Sequence, residues 1–547
     1  MAEEAPPQPL IDPTHFDLIV SGTGLPESIL AASASAAGKS VLHVDSNPFY
    51  GSHFASLSFP SLLSLLQLPP PPLQPKASDE VDGGSVPVSR RSIYSDVEIS
   101  GALTLEPYSR SFSLDLAGPR VLYCSDPAVE MMLKSGASHH LEFKSVLASL
   151  IYLEGKLHSV PDSREAIFRD KSLGLAEKNR MMRFIRLVTG HIGSDGGGGL
   201  PDEDAEVPMA EFLDRQGLSA KIKSIILYAI VMADYDQDNA EVCKKLIKTK
   251  DGIQRLVLYN SSVSRFPNAV GAFIYPIYGQ GVLPQAFCRC AAVKGAIYVL
   301  RMPVTGLLVD KETRQYKGVR LSSGQDIFSH HLVMDPSFIA QHSLFSTNAS
   351  SHHEDPEVPK AKECQGLSSS TTKVARAICI TKGSIRPDSS NLLVIFPPRS
   401  LGAEQLTAVR ALQLSSDVAV CPPDVFVIYF STLCDDAIQG KKHLHAAMNA
   451  ILLHSYLNDS QNSTSTVSED SEGETKPTLM WSALYVQEFK EASLEPVCSC
   501  PMPDGNLDYG ELLEATIKLF HHMYPQEEIF AKPPPTEDNE EDDGSLE

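Results

Sequence analysis

The 547-residue sequence has no uninterrupted apolar run long enough to cross a bilayer, which takes about 18 residues or more. The nearest approach, 57–73, is broken by Pro60 and by the prolines at 69–72. No membrane span is therefore predicted. The first residues, Met1-Ala2-Glu3-Glu4-Ala5-Pro6-Pro7, have neither the basic stretch nor the apolar core of a secretory signal, and a cytoplasmic, soluble chain is expected. Cysteine usage is ordinary at ten residues, and outside a secretory context these read as reduced thiols. Cys288-x-Cys290 and Cys498-x-Cys500 are each one residue short of CxxC spacing, and no histidine cluster accompanies them. Core thiols are predicted there, and no metal site. Basic residues are in deficit: 46 Lys+Arg against 68 Asp+Glu leave a net charge of −22. That balance argues against nucleic acid as a partner and against a polybasic membrane anchor. There is no P-loop, no GxSxG and no HExxH. The adjacent pairs His139-His140, His352-His353 and His521-His522 point apart on any regular element, which disfavours shared metal ligation. No repeat of fixed period is visible, and the final residues Ser545-Leu546-Glu547 form no prenylation box.

What is present is ample core: 42% of residues are hydrophobic. The length is compatible with three or four units, or with one large multi-sheet domain and a smaller one. The chain opens as β-α-β. Residues 15–20 are an apolar run of strand length, Gly22-Thr23-Gly24 follows, and Pro26 stands at a first helical position before an Ala-rich helix that Gly38 ends. A second strand, 40–44, closes at Asp45. A crossover of this size implies parallel strands and a doubly wound sheet. Strand patterns recur at 297–300, 306–309, 317–321 and 327–328. Helical patterns occupy 173–188, 209–213, 222–232 and 240–258. The fold class read from this is α/β (α+β): a large multi-sheet domain from 1–159 and 266–533, interrupted by a smaller α-helical domain over 160–265. Segments 69–90, 193–208, 345–372 and 458–477 read as flexible insertions. From Pro533 onward there are seven acids and no Lys or Arg, so 534–547 reads as a disordered acidic tail.

Gly22-x-Gly24 after a strand, with Asp45 about twenty residues on, begins a dinucleotide-binding fingerprint. The third glycine should stand at position 27, which is Glu27. A carboxylate in the first turn suits the helix dipole but works against a pyrophosphate. A nucleotide-binding architecture that has lost its ligand is the favoured reading, and no flavin or other cofactor is expected. The competing reading, an FAD-dependent oxidoreductase, predicts a yellow protein. Near the other end, residues 503–510 (Pro-Asp-Gly-Asn-Leu-Asp-Tyr-Gly) read as a turn before a helix over 511–522.

Three segments carry a resemblance. They are 17–51 (DLIVSGTGLPESIL, then GKSVLHVDSNPFYG), 177–184 (EKNRMMRF) and 275–285 (YPIYGQGVLPQ). Together the sequence resembles the superfamily of Rab GDP-dissociation inhibitors and Rab escort proteins. Gly279-Gln280-Gly281, Phe287-Cys288-Arg289, 297–301 and 518–528 look like the escort branch. The resemblance implies a flavoprotein-like large domain without flavin. It further implies binding of GDP-form Rab GTPases, presentation to the Rab geranylgeranyl transferase heterodimer, and delivery of the geranylgeranylated product to membranes, with no catalysis by the chain itself. Inhibitor-like recycling is the related alternative, and a scaffold without a lipid pocket is a third. On residues, it implies that Tyr50 and Arg289 touch the GTPase. Val282 replaces the glutamate of the inhibitor branch there. Lys178, Asn179, Arg180 and Arg183 would face the transferase, with Asn179 standing where the family often has arginine. A prenyl groove belongs to the helical unit, and Ile225, Ile226, Ile230 and Val231 are its candidates. An apolar stripe of this kind is equally what a packed core requires.

Overall fold

The structure, a computed structural model, describes residues 10–67, 85–101, 109–161, 164–170, 173–192, 202–240, 243–313, 315–340, 373–454, 476–489 and 497–531. The acidic tail 534–547, the insertion 345–372 and most of 458–477 lie outside them. The first sheet grows from the opening strand, His15–Ser21, whose Leu18, Ile19 and Val20 are fully buried. Apolar side chains on both faces suit a central parallel strand. It pairs in parallel with Val41–Asp45 on one side and Asp326–Met334 on the other, and Ile297–Leu300 extends the parallel set. Antiparallel strands Tyr316–Leu321, Val304–Val309 and Ser85–Arg90 continue it. Between the first two strands runs the helix Leu25–Ala36, with proline in its first turn as the sequence indicates.

A second large sheet is mainly antiparallel. Its centre is Lys373–Lys382 between Val425–Cys434 and Thr478–Glu488. The helices between residues 164 and 262 pack against it without a core of their own. Met181, Phe184, Phe212 and Ile253 share one apolar cluster with Phe273, Ile378, Leu393 and Tyr485. Charged contacts fasten the seam. Buried Arg410 pairs with Asp234 at 2.6 Å and donates to the Met232 carbonyl at 2.7 Å. Arg399 reaches Asp236 at 2.8 Å.

Several expectations need correction. The insertion 69–90 ends in an ordered strand, Ser85–Arg90, because Val86 and Pro87 pair with Leu307 and Gly306. The insertion 193–208 ends in the helical turn Asp202–Ala205, and the Val207 carbonyl accepts the Thr249 N–H at 2.8 Å. The helix predicted over 240–258 is Thr249–Ser262. The stretch before it is held open by buried Gln237, which donates to the Lys245 carbonyl at 3.1 Å and accepts the Ile247 N–H at 2.9 Å. The helix expected over 222–232 is a short α-helix, Ala220–Ser224, running into the π-helical turns Ile225–Ile230.

Candidate functional site

The nucleotide-type crevice is built and then filled. Gly22 lies at φ +107°, and a Cβ there would stand 2.8 Å from the Asp335 Cβ. The Thr23 amide and hydroxyl both donate to Asp45 Oδ2, at 2.8 and 2.6 Å, and the Ser52 hydroxyl donates to the same oxygen at 2.9 Å. Asp45, which would hold a ribose, is thus saturated by protein donors. Glu27 is buried, and its carboxyl group lies so close over Gly24 that a Cβ there would force it to shift. Burial first, then the neighbouring Asp335, pushes the Glu27 pKa well above the carboxylate range. Burial opposes ionisation of Asp335 as well. His53, which bonds it at 3.2 Å, and Arg90 nevertheless hold Asp335 below the usual range. Pyrophosphate would have to displace Glu27 and face Asp335. The residues do not fit a flavin dinucleotide.

Beside this crevice the structure brings Tyr50, Val282 and Arg289 together. The loop after the second strand delivers Tyr50, half-buried, its ring centroid 6.2 Å from that of Tyr298. Val282, Gln285 and Arg289 recur at helical spacing on one face of the helix Val282–Val293. They border a cavity of about 380 Å³ with Tyr50, His140 and Tyr298. Arg289 is exposed and has no hydrogen-bond or ion-pair partner among the described residues. Asp115 sets the position of this helix. It accepts the Ser56 hydroxyl at 2.6 Å, the Gln280 N–H at 2.9 Å and the Tyr275 hydroxyl. Gly279, at φ +95°, passes so close to Ser56 and Asp115 that a side chain would collide with both. Burial raises the Asp115 pKa to about 6, against the pull of its three donors. Sequence reasoning missed Asp115 and Ser56. Neither sits in a motif, and only the glycines at 279 and 281 hint at a close approach.

The basic face lies on the helix Leu175–Ile192, which buries Met181, Met182, Phe184 and Val188. Asn179, Arg180 and Arg183 are exposed. Lys178 is half-buried and donates to the Phe168 carbonyl at 2.8 Å, and Arg180 donates to the Gly217 carbonyl at 3.1 Å. Leu175, Asn179, Arg183 and Leu187 follow one another at four-residue spacing, with Leu175 72% exposed. Phe168, 52% exposed, stands at the end of the neighbouring short helix Arg164–Arg169. It was not singled out in the sequence, where one aromatic in a short segment gives no signal.

The stripe Ile225, Ile226, Ile230 and Val231 needs correction. All four side chains are buried in the cluster shared with the second sheet, where they fill space instead of lining a groove. All six residues of the π-helical segment 225–230 are buried by surrounding elements, so no open face is left. Larger cavities occur elsewhere. One of about 690 Å³ is mostly apolar, with Val129, Leu133, Phe143, Leu147 and Val270 on its walls. Another of about 700 Å³ lies under the helix Arg164–Arg169, walled by Val160, Tyr259 and Phe273 with His158 and Arg386 at its edge.

Comparison with known proteins settles the relationship. The family described as GDP dissociation inhibitor matches residues 12–80 and 92–349. A second description, RAE1/2 domain I, C-terminal region, matches 374–505. Rab escort protein 1 of Arabidopsis thaliana is 50% identical over 566 aligned residues, covering 100% of this chain and 99% of that protein. The chain belongs to the family of Rab escort proteins and GDP dissociation inhibitors. Rab proteins geranylgeranyltransferase component A 1 of Homo sapiens is 25% identical, covering 98% of this chain and 94% of its own length. A solved RAB GDI structure from Plasmodium falciparum matches the fold with a TM-score of 0.67 at 18% identity, covering 94% of this chain and 99% of that one. The resemblance carried by 17–51, 177–184 and 275–285 is thereby confirmed at the level of family and fold.

Proposed function

We propose that the chain is a Rab escort protein. It binds Rab GTPases in their GDP form, presents them to the Rab geranylgeranyl transferase heterodimer, and carries the geranylgeranylated product to membranes without making a covalent change itself. The observation that carries this reading is the 50% identity to an escort protein over the entire chain. The convergence of Tyr50, Val282 and Arg289 on one cavity supports a GTPase platform there. Arg289 offers a planar set of donors not used by its own fold, and Tyr50 offers contact area at low rotamer cost. Val282 puts an apolar side chain where the inhibitor branch has a carboxylate. The platform of this chain therefore has one acidic contact fewer, which bears on its affinity for GTPases or its choice among them.

The transferase-facing surface is assigned to Lys178, Asn179, Arg180 and Arg183, with Phe168 and Leu175 as apolar neighbours. Exposed apolar side chains flanked by guanidinium groups are the usual composition of a partner surface. The prenyl chains are assigned to the helical region 160–265. Each carries about twenty carbons, and apolar transfer is worth ~0.8 kcal/mol per CH₂. Holding two in water therefore costs on the order of tens of kcal/mol. Inhibitor-like recycling remains a related activity of the same platform, supported by the GDP dissociation inhibitor match. The soluble, cytoplasmic setting is part of this reading; among the described residues no helix is long and apolar enough to cross a membrane. The reading is tested by titrating the full chain against one Rab GTPase loaded with GDP or with a non-hydrolysable GTP analogue. Preference for the GDP form supports it, and equal affinity sinks it.

A further inference from the structure

We propose that Tyr278 is a further GTPase contact, an aromatic anchor presented by a strained turn at the edge of the platform. The inference rests on the reading that Tyr50, Val282 and Arg289 face the GTPase. The segment 275–285 holds two tyrosines with opposite fates. Tyr275 is fully buried and gives its hydroxyl to Asp115. Tyr278 is 62% exposed, and its hydroxyl has no partner among the described residues.

The backbone of Tyr278 lies at φ +75°, a left-handed conformation that is uncommon for a bulky side chain and easier for Gly or Asn. Its surroundings enforce it. The Tyr278 N–H donates to the Val418 carbonyl at 2.8 Å, and its carbonyl accepts the Ser113 hydroxyl at 2.6 Å. On its far side Gly279 is wedged against Ser56 and Asp115. A tyrosine here contributes little to the fold, since its ring stands mainly in water while its backbone is penalised. Outliers of this kind, held by over-determined surroundings, concentrate at binding sites.

Its place in the fold says which site. Tyr278 starts the turn that leads into the helix carrying Val282, Gln285 and Arg289. On the other side, the Ile277 N–H bonds the Glu142 carbonyl, next to Phe143, and Val418 follows Asp417. Phe143 and Asp417 both line the 690 Å³ apolar cavity. Tyr278 is thus tied through its backbone bonds to segments that wall that cavity, and it lies four residues before Val282 of the cavity at Tyr50 and Arg289. A tyrosine suits such a position. It buries a large apolar ring with only two torsions to fix and keeps a hydroxyl for a polar group of the partner.

The test uses Tyr278→Asn and Tyr278→Phe in the full chain, with affinity for an unprenylated, GDP-loaded Rab GTPase and the thermal midpoint measured for each. Tyr278→Asn keeps the left-handed backbone and removes the ring. It is expected to weaken binding at least roughly ten-fold, as hot-spot truncations do, with a midpoint equal to or above wild type. Tyr278→Phe is expected to retain most of the affinity. Affinity of Tyr278→Asn within about two-fold of wild type would overturn the proposal, as would a fall in its midpoint, which would assign Tyr278 to the fold. The two levels separate cleanly. If wild type binds no GDP-form GTPase, the platform reading itself fails. If wild type binds and Arg289→Ala weakens it while Tyr278→Asn does not, only the Tyr278 proposal fails.

Discussion

Replacing Arg289 by alanine separates an interface role from a role in the fold at the proposed platform. The side chain is exposed on the helix Val282–Val293 and makes no hydrogen bond or ion pair within the described residues. Truncation therefore removes no intramolecular contact of consequence, and alanine is if anything the better helix former. The expected change in stability lies within about 0.5 kcal/mol of zero. At a desolvated interface the same guanidinium makes charge-assisted hydrogen bonds worth about 1.5–3 kcal/mol. At 1.4 kcal/mol per decade, the dissociation constant for a GDP-loaded Rab GTPase should rise about 10- to 150-fold. Calorimetric or fluorescence titration gives the affinity, and a thermal melt of the free chain gives the stability. Unchanged affinity would refute the reasoning, and so would a midpoint lowered by several degrees. Tyr50→Ala is a useful contrast. Tyr50 is half-buried against Tyr298, so its loss should lower both affinity and stability.

The remaining expectations concern the transferase surface and the core. Asn179→Arg should tighten transferase binding by about ten-fold or more, through a charge-assisted contact, and leave Rab affinity unchanged; surface plasmon resonance with each partner decides, and equal movement of both affinities would return the face to solvent. Asp504→Ala should cost about 3–5 kcal/mol in denaturant unfolding, because fully buried Arg120 loses its carboxylate partner; a loss under 1 kcal/mol would show that the carbonyls of Asp504 and Asp508 suffice. His43 donates from Nε2 to the Gly22 carbonyl, while its Nδ1 is buried without a partner. Burial lowers its pKa to about 4. The unfolded chain binds this proton first, so the stability His43 contributes is full above about pH 6.5 and is lost as pH falls toward 4. The loss amounts to about 3 kcal/mol. His43→Phe should flatten the pH dependence of stability over that window, and an unchanged slope would show that His43 does not titrate there.

The parts of the fold visible in the sequence were those fixed by local rules. The strand 15–21, the proline-started helix and the second strand follow from apolar run length, N1 proline and glycine stop. Glu27 announced a crevice hostile to pyrophosphate, and its burial against Gly24 gives that reading a geometry. The errors lie where tertiary contacts decide. Nothing in the polar segment before Thr249 says that Gln237 will hold it open through its side chain. The strand Ser85–Arg90 looks like linker because its partner lies more than two hundred residues away. The isoleucine stripe has the composition of both a groove and a core, and only packing distinguishes them; it is core. Asp115 fixes the approach to the helix Val282–Val293 through side-chain acceptance alone, which leaves no trace in spacing. Tyr50, Val282 and Arg289 were named through family resemblance, and their meeting at one cavity could not be read from residues 232 positions and more apart.

An escort is needed for prenylation of a GTPase that it does not itself modify. The direct measurement is transfer of labelled geranylgeranyl to a Rab GTPase by purified transferase, with and without the full chain. Transfer that depends on the chain, saturates near one chain per GTPase and falls with Arg289→Ala is the predicted result. Equal transfer in its absence, or a chain that transfers the label without the transferase, would contradict it.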